Sequence, residues 1–218
     1  GQMLAVDITP HLRQGENLIA LRLVVTSSTD GLLDLLKLTG DFSLAPQGSD
    51  GRTYSIEAPR TSLQPGTWTT QGYPYFSGRA IYRKRFELPD SFNGQRVFLE
   101  PEMEDDVLEV LVNGQSAGVR LWEPYQMEIT DLVKPGENII ELRVANTLVN
   151  LLEAVERPSG LAGAPKLIPY CTMDQQCSCA AGNRHRLHRL PIRQRTLHRT
   201  RQTHRTLLRP LDAHTISR

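Results

Sequence analysis

The stretch Ile8-Thr9-Pro10-His11-Leu12-Arg13-Gln14-Gly15-Glu16-Asn17-Leu18-Ile19-Ala20-Leu21-Arg22 recurs without a gap as Ile129-Thr130-Asp131-Leu132-Val133-Lys134-Pro135-Gly136-Glu137-Asn138-Ile139-Ile140-Glu141-Leu142-Arg143. Each copy reads as a polar turn, Gly15-Glu16-Asn17 or Gly136-Glu137-Asn138, leading into a strand of alternating faces. Such alternation is the pattern of an antiparallel sheet with one wet side, and its repetition makes the chain an array of related modules. In the second copy Ile140, Leu142 and Val144 share one face, with Ile139, Glu141, Arg143 and Ala145 on the other. The first copy begins close to the start of the chain, so the strands that should precede it in its own module are lacking. The chain is therefore expected to be a piece of a larger protein.

The formal charge of +1 conceals two unlike regions. Residues 1–170 carry 15 Lys and Arg against 22 Asp and Glu, whereas residues 171–218 carry 10 Arg and two Asp. All aromatic residues lie at or before Tyr170, and Cys171, Cys177 and Cys179 lie after it with five of the six histidines. A segment so charged and without aromatic residues cannot bury enough surface to offset its ordering entropy, which predicts disorder for 171–218. Residues 1–170 contain no cysteine, so no disulfide can form within them. No apolar run approaches the ~18 residues that span a bilayer, and no charged segment with an apolar signal core opens the chain. Any export signal would belong to the beginning of the larger protein, so compartment is not fixed.

The spacing of turns and runs predicts four blocks: residues 1–45 as the end of a preceding β module, 46–65 as a linker, 66–170 as a nearly complete β-sandwich, and 171–218 as the basic tail. Within 46–65, residues 54–58 are the one strand-like piece. In the third block, residues 78–88 place Ala80, Tyr82, Phe86 and Leu88 on one face against Arg79, Arg83, Arg85 and Glu87 on the other. Strands are expected at 95–100, 107–112, 116–121, 125–129 and 138–148. Asn113-Gly114 between two of these runs is a strong hairpin signal, because both central residues of a type I′ turn need positive φ. Strands at roughly ten-residue spacing with turns between them predict an all-β, antiparallel sandwich.

Further residues carry a resemblance. Gly72-Tyr73-Pro74-Tyr75-Phe76-Ser77-Gly78-Arg79-Ala80-Ile81-Tyr82-Arg83-Lys84-Arg85-Phe86, Val112-Asn113-Gly114-Gln115-Ser116-Ala117-Gly118-Val119, Glu128-Ile129-Thr130 and Gly136-Glu137-Asn138 resemble the sugar-binding domain of family 2 glycoside hydrolases, a galactose-binding-like jelly roll. Gly118-Val119-Arg120-Leu121-Trp122-Glu123-Pro124-Tyr125 and Ser159-Gly160-Leu161 look more like the corresponding domain of bacterial family 106 α-L-rhamnosidases. The resemblance covers residues 68–170. It implies an accessory domain beside a catalytic barrel that carries the acid and the nucleophile or base, and this chain has no such barrel. It also implies that residues 72–78 approach the barrel's pocket, and that the parent is secreted or periplasmic. Residues beyond Tyr170 match nothing in the family, and an out-of-frame continuation would account for them.

The candidate chemistry is sparse. Glu100, Glu102, Glu104, Asp105, Asp106 and Glu109 could supply a carboxylate pair for glycoside hydrolysis, which needs two carboxyls about 5 to 10 Å apart. They read instead as a solvated loop, with no nearby apolar pocket to separate two pKa values. Tyr73, Tyr75, Phe76, Trp122 and Tyr125 fall in loops, where they could brace the sandwich or pack on the C–H faces of a sugar, with Arg120, Asn146 and Asn150 as polar neighbours. Trp122, Tyr125, Arg120, Asn146, Tyr73 and Tyr75 are thus the carbohydrate-binding candidates, and no catalytic residue, cofactor or metal ligand is assigned. The cysteines and His185 and His188 lack the paired spacing of a zinc knuckle. The expected function is a non-catalytic carbohydrate-binding or scaffold module of an α-L-rhamnosidase-like glycoside hydrolase. Its expected partners are terminal rhamnose or galactose of a polysaccharide and the parent's catalytic barrel, without membrane or specific nucleic acid. The alternative is a β-sandwich interaction domain whose basic tail contacts nucleic acid or an acidic surface.

Overall fold

The computed structural model describes residues 5–32, 36–49, 53–60, 62–64 and 66–170, with the backbone of residues 188–189 and 206–208. Its chain divides into two compact units, one holding residues 1–36 and the other residues 37–208. The strands in chain order are β1 (Leu36–Leu38), β2 (Ser43–Gln47), β3 (Thr53–Glu57), β4 (Arg79–Leu88), β5 (Arg96–Glu100), β6 (Val107–Val112), β7 (Gln115–Arg120), β8 (Met127–Glu128), β9 (Gly136–Ala145), β10 (Lys166–Tyr170), β11 (His188–Arg189) and β12 (Thr206–Leu208). One short helix, α1 (Val149–Leu152), follows β9.

The second unit contains an antiparallel β-sandwich. One sheet has the order β4-β9-β6-β7 and the other β11-β10-β5-β8. In the first sheet β9 lies in the middle, paired in unbroken register with β4 from Arg79↔Ala145 to Leu88↔Gly136 and with β6 from Val107↔Ala145 to Val112↔Ile140. The expected alternation is realised: Ala80, Tyr82, Phe86, Leu108, Val110, Val112, Ile140, Leu142 and Val144 point inward against Val97, Leu99, Met127 and Leu167 of the second sheet. Burying each such side chain contributes about 1.5 to 3 kcal/mol, far more than any exposed ion pair, so this apolar layer is what holds the sheets together. The outer face of the first sheet carries an ion-pair ladder: Arg83 Nε donates to Glu141 Oε2 at 2.8 Å, Arg143 Nε to Glu141 Oε1 at 2.7 Å, and Arg143 Nη1 to Glu109 Oε2 at 3.2 Å. Burial pushes the Glu141 carboxyl up, but the hydrogen bonds from Arg83 and Arg143 overcome this and hold it below its ordinary value.

Asn113 (φ 52) and Gly114 (φ 83) form the two-residue loop joining β6 to β7, with Val112 opposite Gln115, as the Asn-Gly signal predicts. Within the span expected as a linker, β3 pairs with β2 as a hairpin, Ser43↔Glu57 to Gln47↔Thr53. This hairpin is tied down where Leu44 N donates to Gly72 O at 2.9 Å. Beyond Tyr170 the described backbone is limited to β11 and β12, so the expected disorder of 171–218 falls mainly outside the described residues.

The two sequence copies share their local structure and then diverge. A 3₁₀ turn, Thr9–His11 or Thr130–Leu132, comes first, and Gly15 (φ 93) or Gly136 (φ 82) follows. In the first copy Asn17 Oδ1 accepts from Arg13 N at 3.0 Å while its Nδ2 donates to Arg13 O at 2.7 Å and Gly15 O at 2.9 Å. In the second, Asn138 Oδ1 accepts from Lys134 N at 2.9 Å and its Nδ2 donates to Lys134 O at 2.7 Å and Gly136 O at 2.9 Å. The expected first-copy strand, however, does not form: the described residues between 12 and 32 contain none. Ile19, Leu21 and Leu23 are 41%, 52% and 53% exposed, whereas their counterparts Ile140, Leu142 and Val144 are wholly buried. A ladder needs a neighbouring strand, and β9 has two.

These contrasts set two expectations. Gly114→Val should lower stability by about 1 to 3 kcal/mol from backbone strain alone, since a Cβ there meets nothing within 4 Å; an unchanged denaturation midpoint would contradict the turn assignment. Asn138→Ala should cost about 1 to 3 kcal/mol, because it removes a buried amide whose bonds hold the Lys134 and Gly136 backbone and the Asn113 side chain. Asn17→Ala should move the sandwich transition by less than about 0.5 kcal/mol. Equal effects of the two in urea unfolding would show that the copies are equally packed.

Candidate functional site

Where β7 ends, the chain bends through Leu121, Trp122, Glu123 and Pro124, with a cis bond before Pro124, before entering β8. Tyr125 and Met127 anchor the far side of this bend in the core, and the Tyr125 hydroxyl donates to Asp106 O at 2.7 Å. That anchoring leaves residues 121–124 facing solvent, and the Trp122 side chain is 72% exposed. Val119, Arg120, Leu121, Trp122, Glu123, Pro124 and Gln126 line a groove of about 380 Å³. Arg120 Nη1 donates only to the Val119 carbonyl at 3.2 Å, and no carboxylate pairs with it among the described residues. Gln126 Nε2 donates to the Tyr170 hydroxyl at 3.3 Å. The groove thus combines a flat exposed indole, a guanidinium with free donors and the Glu123 carboxylate, groups able to stack on an apolar ring face and to hydrogen-bond hydroxyls.

The structure separates the six sequence candidates. Trp122 and Arg120 meet in this groove. Tyr125 is buried beneath it. Asn146 is occupied in bracing: its Oδ1 accepts from Gly78 N at 2.9 Å and its Nδ2 donates to Phe76 O at 2.8 Å and Ser159 Oγ at 3.2 Å. Tyr73 is buried, its hydroxyl donating to Arg60 O at 3.2 Å and accepting from Arg60 N at 3.0 Å. Half-buried Tyr75 meets Tyr54 edge to face at 5.8 Å, and the Tyr54 hydroxyl is hydrogen-bonded to Glu156. Asn150 is likewise buried, donating to Arg157 O at 2.8 Å.

The acidic run departs from the solvated loop expected of it. Asp106 is buried, and its Oδ2 accepts from Gly160 N at 2.7 Å. Burial above all, with Glu104 and Asp105 adding to it, pushes its carboxyl up to about 6 against the opposing effects of the Gly160 bond and Arg157. The signal that could have found it is parity, since Asp106 shares the inward phase of Leu108, Val110 and Val112. Gly160 (φ 109) lets that backbone approach: a Cβ there would come within 2.8 Å of the Tyr82 hydroxyl and 3.0 Å of the Trp68 ring. Among the described residues no cluster of three His, Cys, Asp or Glu could hold a metal ion.

No family model matches the chain. Over 90 residues, 40% of its length, it is 34% identical to a putative beta-glucuronidase of Formosa agariphila, and it spans only 8% of that protein. Among solved structures it is similar to a rhamnosidase from Novosphingobium sp. PP1Y, at 28% identity and TM-score 0.37, covering 80% of this chain and 16% of that one. It is also similar to a beta-D-glucuronidase of Dictyoglomus thermophilum, at 26% identity and TM-score 0.33, covering 52% and 20%.

The Asp106 environment makes stability depend on pH. Its folded-state value near 6 lies above the ordinary 3.8, so the folded protein holds this proton more tightly and loses stability as pH rises from about 4 to about 6. The unfolding free energy of wild type relative to Asp106→Asn should fall by on the order of 3 kcal/mol between pH 4 and pH 7. Urea melts giving a difference that is flat across this range would show that Asp106 is not buried as described.

Proposed function

We propose that the chain is a non-catalytic accessory β-sandwich of a glycoside hydrolase, binding carbohydrate or bracing the catalytic domain during polysaccharide degradation. The observation that carries the reading is the Trp122 groove: an exposed indole beside a carboxylate and a guanidinium that no acid among the described residues pairs with. The similarity to a putative beta-glucuronidase supports the hydrolase context, and the motif resemblance favours a parent like an α-L-rhamnosidase. In this reading a catalytic barrel outside the chain hydrolyses O-glycosyl bonds, in a parent that is secreted or periplasmic. Residues 1–36, a compact unit of their own, are read as part of a second, related β module, since Asn17 makes the same turn hydrogen bonds there that Asn138 makes in the sandwich.

Groove size sets the ligand and its affinity. About 380 Å³ lies near the lower end of the ~300–1,000 Å³ of small-molecule sites, enough for a terminal sugar. One small polar ligand on an open surface recovers only about 4 kcal/mol, corresponding to roughly millimolar binding. The chain has two tryptophans, and Trp68 is buried, so Trp122 is the solvent-facing reporter. Titrating L-rhamnose or galactose should change the fluorescence of the intact protein. Trp122→Ala should abolish that change and leave the melting transition in place, because little of the side chain is packed. If neither sugar alters fluorescence or nuclear magnetic resonance shifts, the groove is not a sugar site and the bracing role stands alone.

A further inference from the structure

The tripeptide Asn-Gly-Gln occurs twice, at Asn93-Gly94-Gln95 and Asn113-Gly114-Gln115. Identical local sequences carry identical intrinsic chemistry, so any difference in reactivity between them is imposed by the fold. We propose that Asn93 is a site of spontaneous covalent modification, losing its side-chain amide to give aspartyl and isoaspartyl products, and that the fold protects Asn113 from the same reaction.

The reaction needs no co-reactant beyond water. The Gly94 backbone nitrogen, on losing its proton, attacks the Asn93 side-chain carbonyl carbon, a C–N bond forms, and the amide nitrogen leaves as ammonia. The resulting five-membered imide is opened by one water at either carbonyl. Opening on one side gives aspartate; opening on the other gives isoaspartate, in which the backbone runs through the former side chain and gains a methylene.

The two sites offer this attack very different freedom. Asn93 and Gly94 are exposed, and the Asn93 side chain makes no hydrogen bond among the described residues. The turn is held only by its backbone, with Asn93 N donating to Asp90 O at 3.0 Å and Gln95 N to Phe92 O at 3.1 Å, between the buried Phe92 and Val97. Gly94 (φ 72) has no Cβ to hinder the approach. At the second site Asn113 Nδ2 donates to Leu132 O at 2.8 Å and to Asn138 Oδ1 at 2.9 Å, while its Oδ1 accepts from Ile139 N at 3.0 Å. Its carbonyl carbon cannot turn toward the Gly114 nitrogen without first breaking these three bonds.

The test is to incubate the full chain in mildly alkaline buffer and follow both peptides by proteolysis and mass spectrometry, with a urea-unfolded sample beside it. In urea the two sites should convert at matching rates. In the folded protein Asn93 should convert into two chromatographically distinct acids of equal mass, with Asn113 at least about tenfold slower, because its bonds must open first. Gly94→Ala should slow conversion at Asn93 and leave Asn113 unaffected. Equal rates at both sites in the folded protein, or a folded Asn93 that stays intact while unfolded Asn93 converts, would overturn the proposal.

Discussion

One buried amide, that of Asn138, sets the position of the strand on which the sandwich depends. Its oxygen accepts from Lys134 N and from the Asn113 amide, and its nitrogen donates to the Lys134 and Gly136 carbonyls. Each neutral bond contributes only about 1 kcal/mol net, yet leaving a buried donor or acceptor unpaired costs more. The arrangement therefore acts chiefly by excluding alternatives. It fixes where β9 leaves its turn and ties that point to the β6–β7 loop. A slip of one residue would turn Ile140, Leu142 and Val144 out of the core, so register and burial support each other.

How far the sequence discloses this depends on the range of the interactions. Period-two alternation and the Asn-Gly turn are local, and they give β4, β6, β7 and β9 nearly at their observed limits. The β2–β3 hairpin is less legible because residues 46–65 are rich in Gly, Ser, Pro and Gln, composition that reads as linker even where Thr53–Glu57 pairs with Ser43–Gln47. Loop aromatics are least legible. Tyr73, Tyr125 and Trp122 look alike in sequence, but two find backbone partners for their hydroxyls and pack in the core while Trp122 does not. Whether a loop residue faces in or out is decided by contacts with Arg60 and Asp106, which no short-range pattern reveals.

The groove follows from that sorting. Because Tyr125 and Met127 draw the chain inward immediately after Pro124, the four residues before Tyr125 bulge outward, and among the described residues Arg120 at the end of β7 has no acid paired with it. The contrast with Arg83 and Arg143 is informative. Those two share Glu141 in the middle of a sheet, where the geometry of three adjacent strands supplies the partner. Arg83 is also on an edge strand, but its register partner on β9 is Glu141, whereas Arg120 on β7 lies opposite Leu108, so among the described residues its donors have no acid to meet.

The two repeat copies separate what local sequence can secure from what it cannot. Asn17 holds its turn with the same three bonds as Asn138, in a unit where the side chains around it are exposed. Those bonds span four residues or fewer, so their chain-entropy cost is small and is met locally. The strand that follows has no such independence. Leu18-Ile19-Ala20-Leu21-Arg22-Leu23-Val24-Val25 is more apolar than β9, yet among the described residues no strand pairs with it and its backbone joins no ladder. Apolar content alone therefore does not make a strand. Turn chemistry is carried by the repeat itself, whereas sheet structure is conferred by β4 and β6, and only the second copy has them.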